Sequence, residues 1–294
     1  MAGRKKKRRY DRIAYFMIAP NFIIFVTFVL IPIFWSVAMS FTNYNLRTSE
    51  FIGFENYLQL FQDSVFKKSL VNTLVYSLLT IVPTMVFGLL LALLLNRAVP
   101  LKRFFRTVFY MPNILSVIAV SMAWVYLYNT NAGVLNRLLN LVGLPSVKWI
   151  SDPKIALFSV VIMSIWMSTG YNMVVFLSGL QMIPTHLYEA AKMDGANAIQ
   201  QFIKITFPLL SPTTYFLFIM ACIQSFQVFG QVYALTGGGP VNATTTIAHQ
   251  IYKSGFESYR MGYASAMAVV LLLIILILTL LNLRLGKGGE SDVT

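Results

Sequence analysis

Charge is scarce in this chain, and cysteine and histidine are nearly absent. Only 11% of the 294 residues are Asp, Glu, Lys or Arg, 57% are hydrophobic, and the mean hydropathy is +0.69. A water-soluble domain carries about 25% charged residues, so an ordinary soluble enzyme is excluded. The single cysteine, Cys222, can form neither an intrachain disulfide nor a structural zinc site. His186 and His249 lie far apart on different connecting segments, so no metal chemistry is expected. A nucleotide loop is also missing. Gly237-Gly238-Gly239 is followed by Pro240, not by Lys and Ser or Thr, and Gly286-Lys287-Gly288-Gly289 lacks the upstream glycine spacing. Glycines before a proline mark a turn instead.

The apolar residues are gathered into six blocks without any Asp, Glu, Lys or Arg: 13–41, 70–96, 107–130, 155–181, 209–235 and 262–283. Each exceeds the ~20 residues that a helix needs to cross the hydrocarbon core. The fold class is therefore an all-α integral membrane protein with six transmembrane helices, and no soluble domain of normal size fits around them. The first block is too long for a signal-peptide core and is expected to be retained.

The net charge of +13 raises the question of nucleic acid, but its placement points to topology. Arg4, Lys5, Lys6, Lys7, Arg8, Arg9 and Arg12 form a basic tail, 1–12, directly before the first block. With Arg97, Lys102, Arg103, Arg106, Lys192, Lys204, Arg284 and Lys287, they put 15 of the 23 basic residues on one side of a six-span protein. By the positive-inside rule that side, with both termini and the final tail 284–294, is cytoplasmic. No nucleic-acid role is expected. Trp35, Tyr126, Tyr128 and Trp149 fit aromatic belts near span ends, and Pro83 reads as a kink tolerated within the second span. Two outer segments, 54–66 and 133–143, have apolar residues at helical spacing and are expected to form short helices.

The connection between the fourth and fifth blocks, 183–208, is about 25 residues long, more than a simple turn requires. Pro184 breaks the fourth span, Thr185 is placed as N-cap, Leu187–Asp194 forms a helix and Gly195 stops it. A second short helix, with Ile199, Phe202, Ile203 and Phe207 on one side, runs to Pro208. The expected structure is a hairpin across the cytoplasmic face. Ala190 and Ala191 would allow close backbone approach, and Glu189 could pair with a basic residue of a partner.

Glu189-Ala190-Ala191, then Gly195, then Ile205 and Phe207-Pro208, resembles the Glu-Ala-Ala loop of permease subunits of binding-protein-dependent ATP-binding-cassette importers. The family usually has Leu where this chain has Phe207. Phe41-Thr42-Asn43-Tyr44, Gly53-Phe54-Glu55-Asn56-Tyr57, Gly238-Gly239-Pro240 and Gly262-Tyr263-Ala264-Ser265-Ala266 extend the resemblance to the carbohydrate-uptake branch, of the maltose and glycerol-phosphate type. The resemblance implies a type I importer permease fold, a non-catalytic subunit in a bacterial cytoplasmic membrane, and a coupling helix at 189–195 that docks on an ATPase. Its implied coupling residues are Glu189, Ala190, Ala191, Asp194, Gly195, Ile205 and Pro208. Implied partners are a second homologous permease forming a heterodimer, two ATPase subunits that hold the ATP and Mg, and an extracytoplasmic solute-binding protein. This chain would bind no cofactor of its own.

Two features of the spans bear on function without the resemblance. No ionisable Asp, Glu, His or Lys lies inside them, which disfavours an ion-coupled carrier. The other alternative, an enzyme acting on lipid-linked sugars, would need grouped carboxylates or histidines, and the acids here are scattered singly. Gln224, Gln227 and Gln231 form an amide stripe in the fifth span, and Ser164, Ser168, Tyr171 and Asn172 are polar positions in the fourth. Amides, hydroxyls and rings suit a sugar. They equally suit hydrogen bonds that knit helices together. Which sugar would be carried is not legible, although the lack of basic residues in the spans disfavours a phosphorylated solute.

Overall fold

A computed structural model describes residues 15–97 and 100–286. The basic tail 1–12, the first two residues of the first block and residues 287–294 lie outside the described residues. Every regular element among the described residues is helical. Their order is α1 (Tyr15–Met39), α2 (Glu55–Gln62), α3 (Ser64–Asn96), α4 (Lys102–Ile114), α5 (Val117–Leu127), α6 (Val134–Leu141), α7 (Ala156–Met182), α8 (Thr185–Met193), α9 (Ala198–Leu209), α10 (Ser211–Phe226), α11 (Gly230–Leu235), α12 (Ile247–Tyr252) and α13 (Met261–Gly286).

Four helices, α1, α3, α7 and α13, are long and apolar enough to cross a membrane singly. The count becomes six if α4 with α5, and α9 with α10, each form one bent span. The expected continuous helix over 107–130 is not formed, because α4 and α5 meet at 97°. Pro112 lies in the last turn of α4, Leu115 is extended and Ser116 is non-helical. A proline removes one backbone donor and crowds the preceding turn, and here the chain leaves the helix just beyond it. The expected helix over 209–235 is likewise interrupted. Pro212 opens α10, where its missing N–H costs nothing, and the preceding α9 is bent away by 62°. A second break falls at 227–229, before α11 begins at Gly230. Pro83, in contrast, lies inside an unbroken α3.

Two π-turns precede prolines in the same manner: Val26–Leu30 before Pro32, and Phe202–Thr206 before Pro208. A wider turn re-satisfies carbonyls that a proline cannot serve. The segment 54–66 forms two helices where one was expected. Asp63 separates them, its Oδ1 accepting from the N–H groups of Val65 at 2.7 Å and Phe66 at 3.2 Å as the N-cap of α3. The helix expected at 133–143 is present as α6.

The chain divides into two compact units, one of residues up to 62 with 251–270, the other of 63–250 with the remainder of α13. In the first, the segment after α1 folds back through a bridge between Thr42 and Phe51. Asn56 is buried and donates from Nδ2 to the carbonyls of Ser40 (2.8 Å) and Thr42 (2.9 Å). Gly262 has no room for a Cβ against the Thr42 carbonyl, so it must stay glycine for the segment to lie there. In the second, α3 and α7 make the most extensive helix pair. Gly88 permits it: a Cβ there would lie 2.5 Å from the Asn172 Cβ. Gly170 on α7 gives equally close passage to the Phe109 backbone of α4.

The face of α3 turned inward is largely polar, with Ser69, Thr73, Ser77, Thr80 and Thr84 buried at steps of three or four. Several of these hydroxyls donate to the carbonyl one turn back, as Thr73 does to Ser69 and Thr84 to Thr80, which lets a polar stripe sit inside a bundle. Tyr128, expected in an aromatic belt, is instead wholly buried, its hydroxyl donating to the Ser159 carbonyl at 2.9 Å and its ring tilted against Trp149.

Candidate functional site

The hairpin of α8 and α9 follows directly from α7. Pro184 occupies the N-cap position of α8 with extended backbone, and Thr185 is the first helical residue, without a side-chain cap bond. The expected N-cap is thus displaced by one residue, because a proline fixes φ near the value a helix entry needs and holds the chain extended before it. Gly195 ends α8 at φ +79°, the left-handed conformation that an L side chain resists. The Ala196 N–H closes the turn on the Ala191 carbonyl at 2.8 Å. Asn197 and Gln200 then form a reciprocal capping box that starts α9.

Three side chains tie the hairpin to the bundle. Leu187, Tyr188 and Ile205 pack against a buried cluster that includes Leu95, Met173, Phe176, Leu177 and Leu180. The Tyr188 and Thr206 hydroxyls share a hydrogen bond of 2.9 Å, joining α8 to α9. Glu189, Ala190, Asp194, Gly195 and Pro208 are exposed, and Ala191 is half-buried. The candidate coupling set therefore divides. Ile205 anchors the hairpin, whereas Glu189, Ala190, Asp194 and Gly195 present a free surface.

A cavity of about 310 Å³ opens between α3, α7 and the break after α10. It brings together Gln224, Gln227, Gln231, Ser168 and Asn172 of the expected polar positions. The three glutamines do not form one helical stripe, since Gln224 is on α10, Gln227 is its C-cap and Gln231 is on α11. They converge because the chain unwinds between them. The Val228 carbonyl, released from the helix ladder, accepts from Thr246 Oγ1 at 2.8 Å, which stabilises the break.

Tyr171 is not in the lining; its ring packs on the buried cluster beneath the hairpin, and Ser164 is enclosed beside α3. The residues missed from sequence are Tyr76, Thr80 and Thr84, which supply the α3 wall. The Tyr76 hydroxyl faces those of Ser164 and Thr80. Their four-residue spacing was the available signal, obscured because threonine and serine occur freely in membrane helices. Among the described residues, all cavity-lining side chains are uncharged. Neither Gln224 nor Gln227 forms a side-chain hydrogen bond among the described residues, and both are exposed to the opening.

Helices bent around an uncharged polar cavity, with an exposed hairpin locked to the same bundle, define a membrane component built for passage of a polar solute. The family described as the binding-protein-dependent transport system inner membrane component matches residues 84–288, and the chain belongs to it. The probable ABC transporter permease protein YurN of Bacillus subtilis (strain 168) is 38% identical over 286 residues, covering 95% of this chain and 98% of YurN. The multiple sugar-binding transport system permease protein MsmF of Streptococcus mutans serotype c is 35% identical over 274 residues, covering 92% and 94%. Among solved structures, a chain of a bacterial alginate ABC transporter, in complex with its alginate pentasaccharide-bound periplasmic protein, is 26% identical. It superposes with a TM-score of 0.87 over 98% of this chain and 99% of that one. The fold is that of the type I importer permeases, and the protein is a multi-pass component of the inner membrane.

Proposed function

We propose that this chain is the permease subunit of an ATP-driven importer, carrying a carbohydrate delivered by an extracytoplasmic binding protein. The observation that carries the proposal is one compact unit holding both an uncharged cavity of amides and hydroxyls and the exposed Glu-Ala-Ala hairpin. A sugar needs many neutral hydrogen bonds and ring faces, which Gln224, Gln227, Asn172, Ser168 and Tyr76 can supply. The free amides of Gln224 and Gln227 favour substrate contact over helix-knitting. The names of MsmF and the alginate transporter point to the same solute class.

In this reading the chain itself catalyses nothing. ATP and Mg reside on two partner ATPase subunits, and a second homologous permease completes the pathway. Closure of the ATPases displaces the surface of Glu189, Ala190, Asp194 and Gly195. Tyr188, Leu187 and Ile205 pass that displacement to α7 and α10, and the bends at 210 and 227–229 absorb it as the cavity changes side. The surplus of basic residues on the hairpin side supports a cytoplasmic location for both termini.

The test combines uptake and ATP hydrolysis in reconstituted transporter. Glu189→Lys and Gly195→Asp are expected to abolish uptake while the subunit still inserts. Gln224→Leu is expected to keep hydrolysis and raise the half-saturating substrate concentration by about 3- to 10-fold, the worth of one hydrogen bond. Unchanged uptake in all three variants would refute the proposal.

A further inference from the structure

A second polar cavity, of about 330 Å³, lies within the unit formed by α1, α2 and residues 251–270. Asn43 and Asn45 border it from the segment after α1, Glu55 and Gln59 from α2, and Arg260 and Tyr263 from the approach to α13. The Arg260 guanidinium is held on two sides. Its Nη2 donates to Gln59 Oε1 at 2.7 Å, and its central carbon stands 4.4 Å from the centroid of the Tyr263 ring. Its backbone N–H is fixed to the Ser254 carbonyl at 2.8 Å. Both side-chain partners are neutral, so neither of them cancels the positive charge at the cavity. Glu55, on the α2 side, adds a carboxylate to the same space.

The depth of this cavity follows from the helices around it. α1 ends at Met39 and α13 begins at Met261, within a few residues of the lining on each side, which sets the cavity at headgroup level. Phe54, just before α2, and Leu58 and Phe61 on it are 68%, 63% and 75% exposed. Their spacing of four and three residues makes one apolar face, while Glu55 and Gln59 lie on the other. A short helix of this kind rests in the membrane interface. A cavity beside it with one guanidinium and one carboxylate is complementary to a zwitterion bearing a phosphate and an amine.

We propose that this cavity holds the zwitterionic headgroup of a phospholipid, its phosphate on Arg260, its ammonium on Glu55 and its acyl chains along Phe54, Leu58 and Phe61. The leaflet is the one in which α1 ends, the outer one in the orientation proposed above. No step of transport is needed for this binding, so it stands apart from the carbohydrate reading.

The test is native mass spectrometry of the assembled transporter, stripped of lipid in detergent and supplied with phosphatidylethanolamine, phosphatidylglycerol, diacylglycerol or inorganic phosphate. Phosphatidylethanolamine is expected to be retained, and Arg260→Gln to weaken that retention roughly tenfold, as for a charge-assisted hydrogen bond. Glu55→Gln is expected to remove the preference over phosphatidylglycerol. Asn43→Trp fills the cavity from an exposed position without touching the Arg260 contacts, so an equal loss there keeps the result independent of any misfolding of Arg260→Gln. Undiminished retention in both Arg260→Gln and Asn43→Trp, equal retention of diacylglycerol, or displacement of the lipid by inorganic phosphate would overturn the proposal. Weakened docking of the solute-binding protein in Arg260→Gln, with no lipid bound to the unaltered transporter, would overturn it in favour of an acidic protein contact.

Discussion

Asn72 illustrates how single side chains govern the segment between α11 and α12. Its Nδ2 donates to the Asn242 carbonyl at 3.0 Å and the Thr245 carbonyl at 2.9 Å, while Lys68 Nζ reaches the Val241 carbonyl at 2.7 Å. Thr73 Oγ1 accepts from the Ile247 N–H at 3.0 Å. One turn and a half of α3 thus pins the residues 241–247, which also carry left-handed Val241 and Asn242 after the Gly237–Gly239 turn. Asn72→Leu would bury two carbonyls against an apolar side chain at a cost of about 1–3 kcal/mol. Hydrogen exchange at 241–247 is expected to accelerate about 10- to 100-fold, with α7 unaffected. None of these side-chain contacts was readable in the sequence. Asn72 lies in an apolar block, its carbonyl partners are about 170 positions away, and a backbone oxygen has no residue identity to recognise.

At the scale of elements, the informative contrast lies between what local chemistry determines and what tertiary partners determine. Long charge-free blocks are a local property, and their positions were readable to within a few residues for α1, α7 and α13. The break at 227–229 is not local. It depends on Thr246 capturing the Val228 carbonyl and on Gly230 passing close to Val117, contacts made only in the folded bundle. Tyr171 was misplaced for a related reason: helical spacing groups it with Ser168 and Asn172, but its facing cluster is known only once α8 packs beneath it. The hairpin was more legible because proline and glycine punctuate it. Its stiffness was not, since the Tyr188–Thr206 bond joins residues 18 apart. Tyr188→Phe keeps the ring and removes the bond. The predicted result is continued ATP hydrolysis with solute moved per ATP reduced by a factor of about 2 to 10, measured in proteoliposomes.

For the whole molecule, the buried polar side chains among the described residues gather at a few enclosed places. α3 and α7 carry most of the internal packing, and both supply walls of the central cavity. Tyr215 of α10 donates to the Asn282 carbonyl of α13, adding a polar tie along the second unit. Such ties matter in lipid, where no hydrophobic effect draws helices together and close packing with hydrogen bonds must do so.

α1 is the exception, with none of its most apolar window buried within the chain. It also precedes the family match, which begins at residue 84. The span of α1 before the Val37–Thr42 junction therefore contributes little to packing within the chain. Exchanging 15–36 for an unrelated apolar span of equal length should leave the melting temperature of the bundle within about 2 °C, with the junction at Val37–Thr42 kept for its contacts to Tyr57 and Asn56. The same exchange in α7, where the span is more than half buried, should prevent folding. Evolution would then be free to rewrite the first span for insertion or for membrane thickness without renegotiating the solute path.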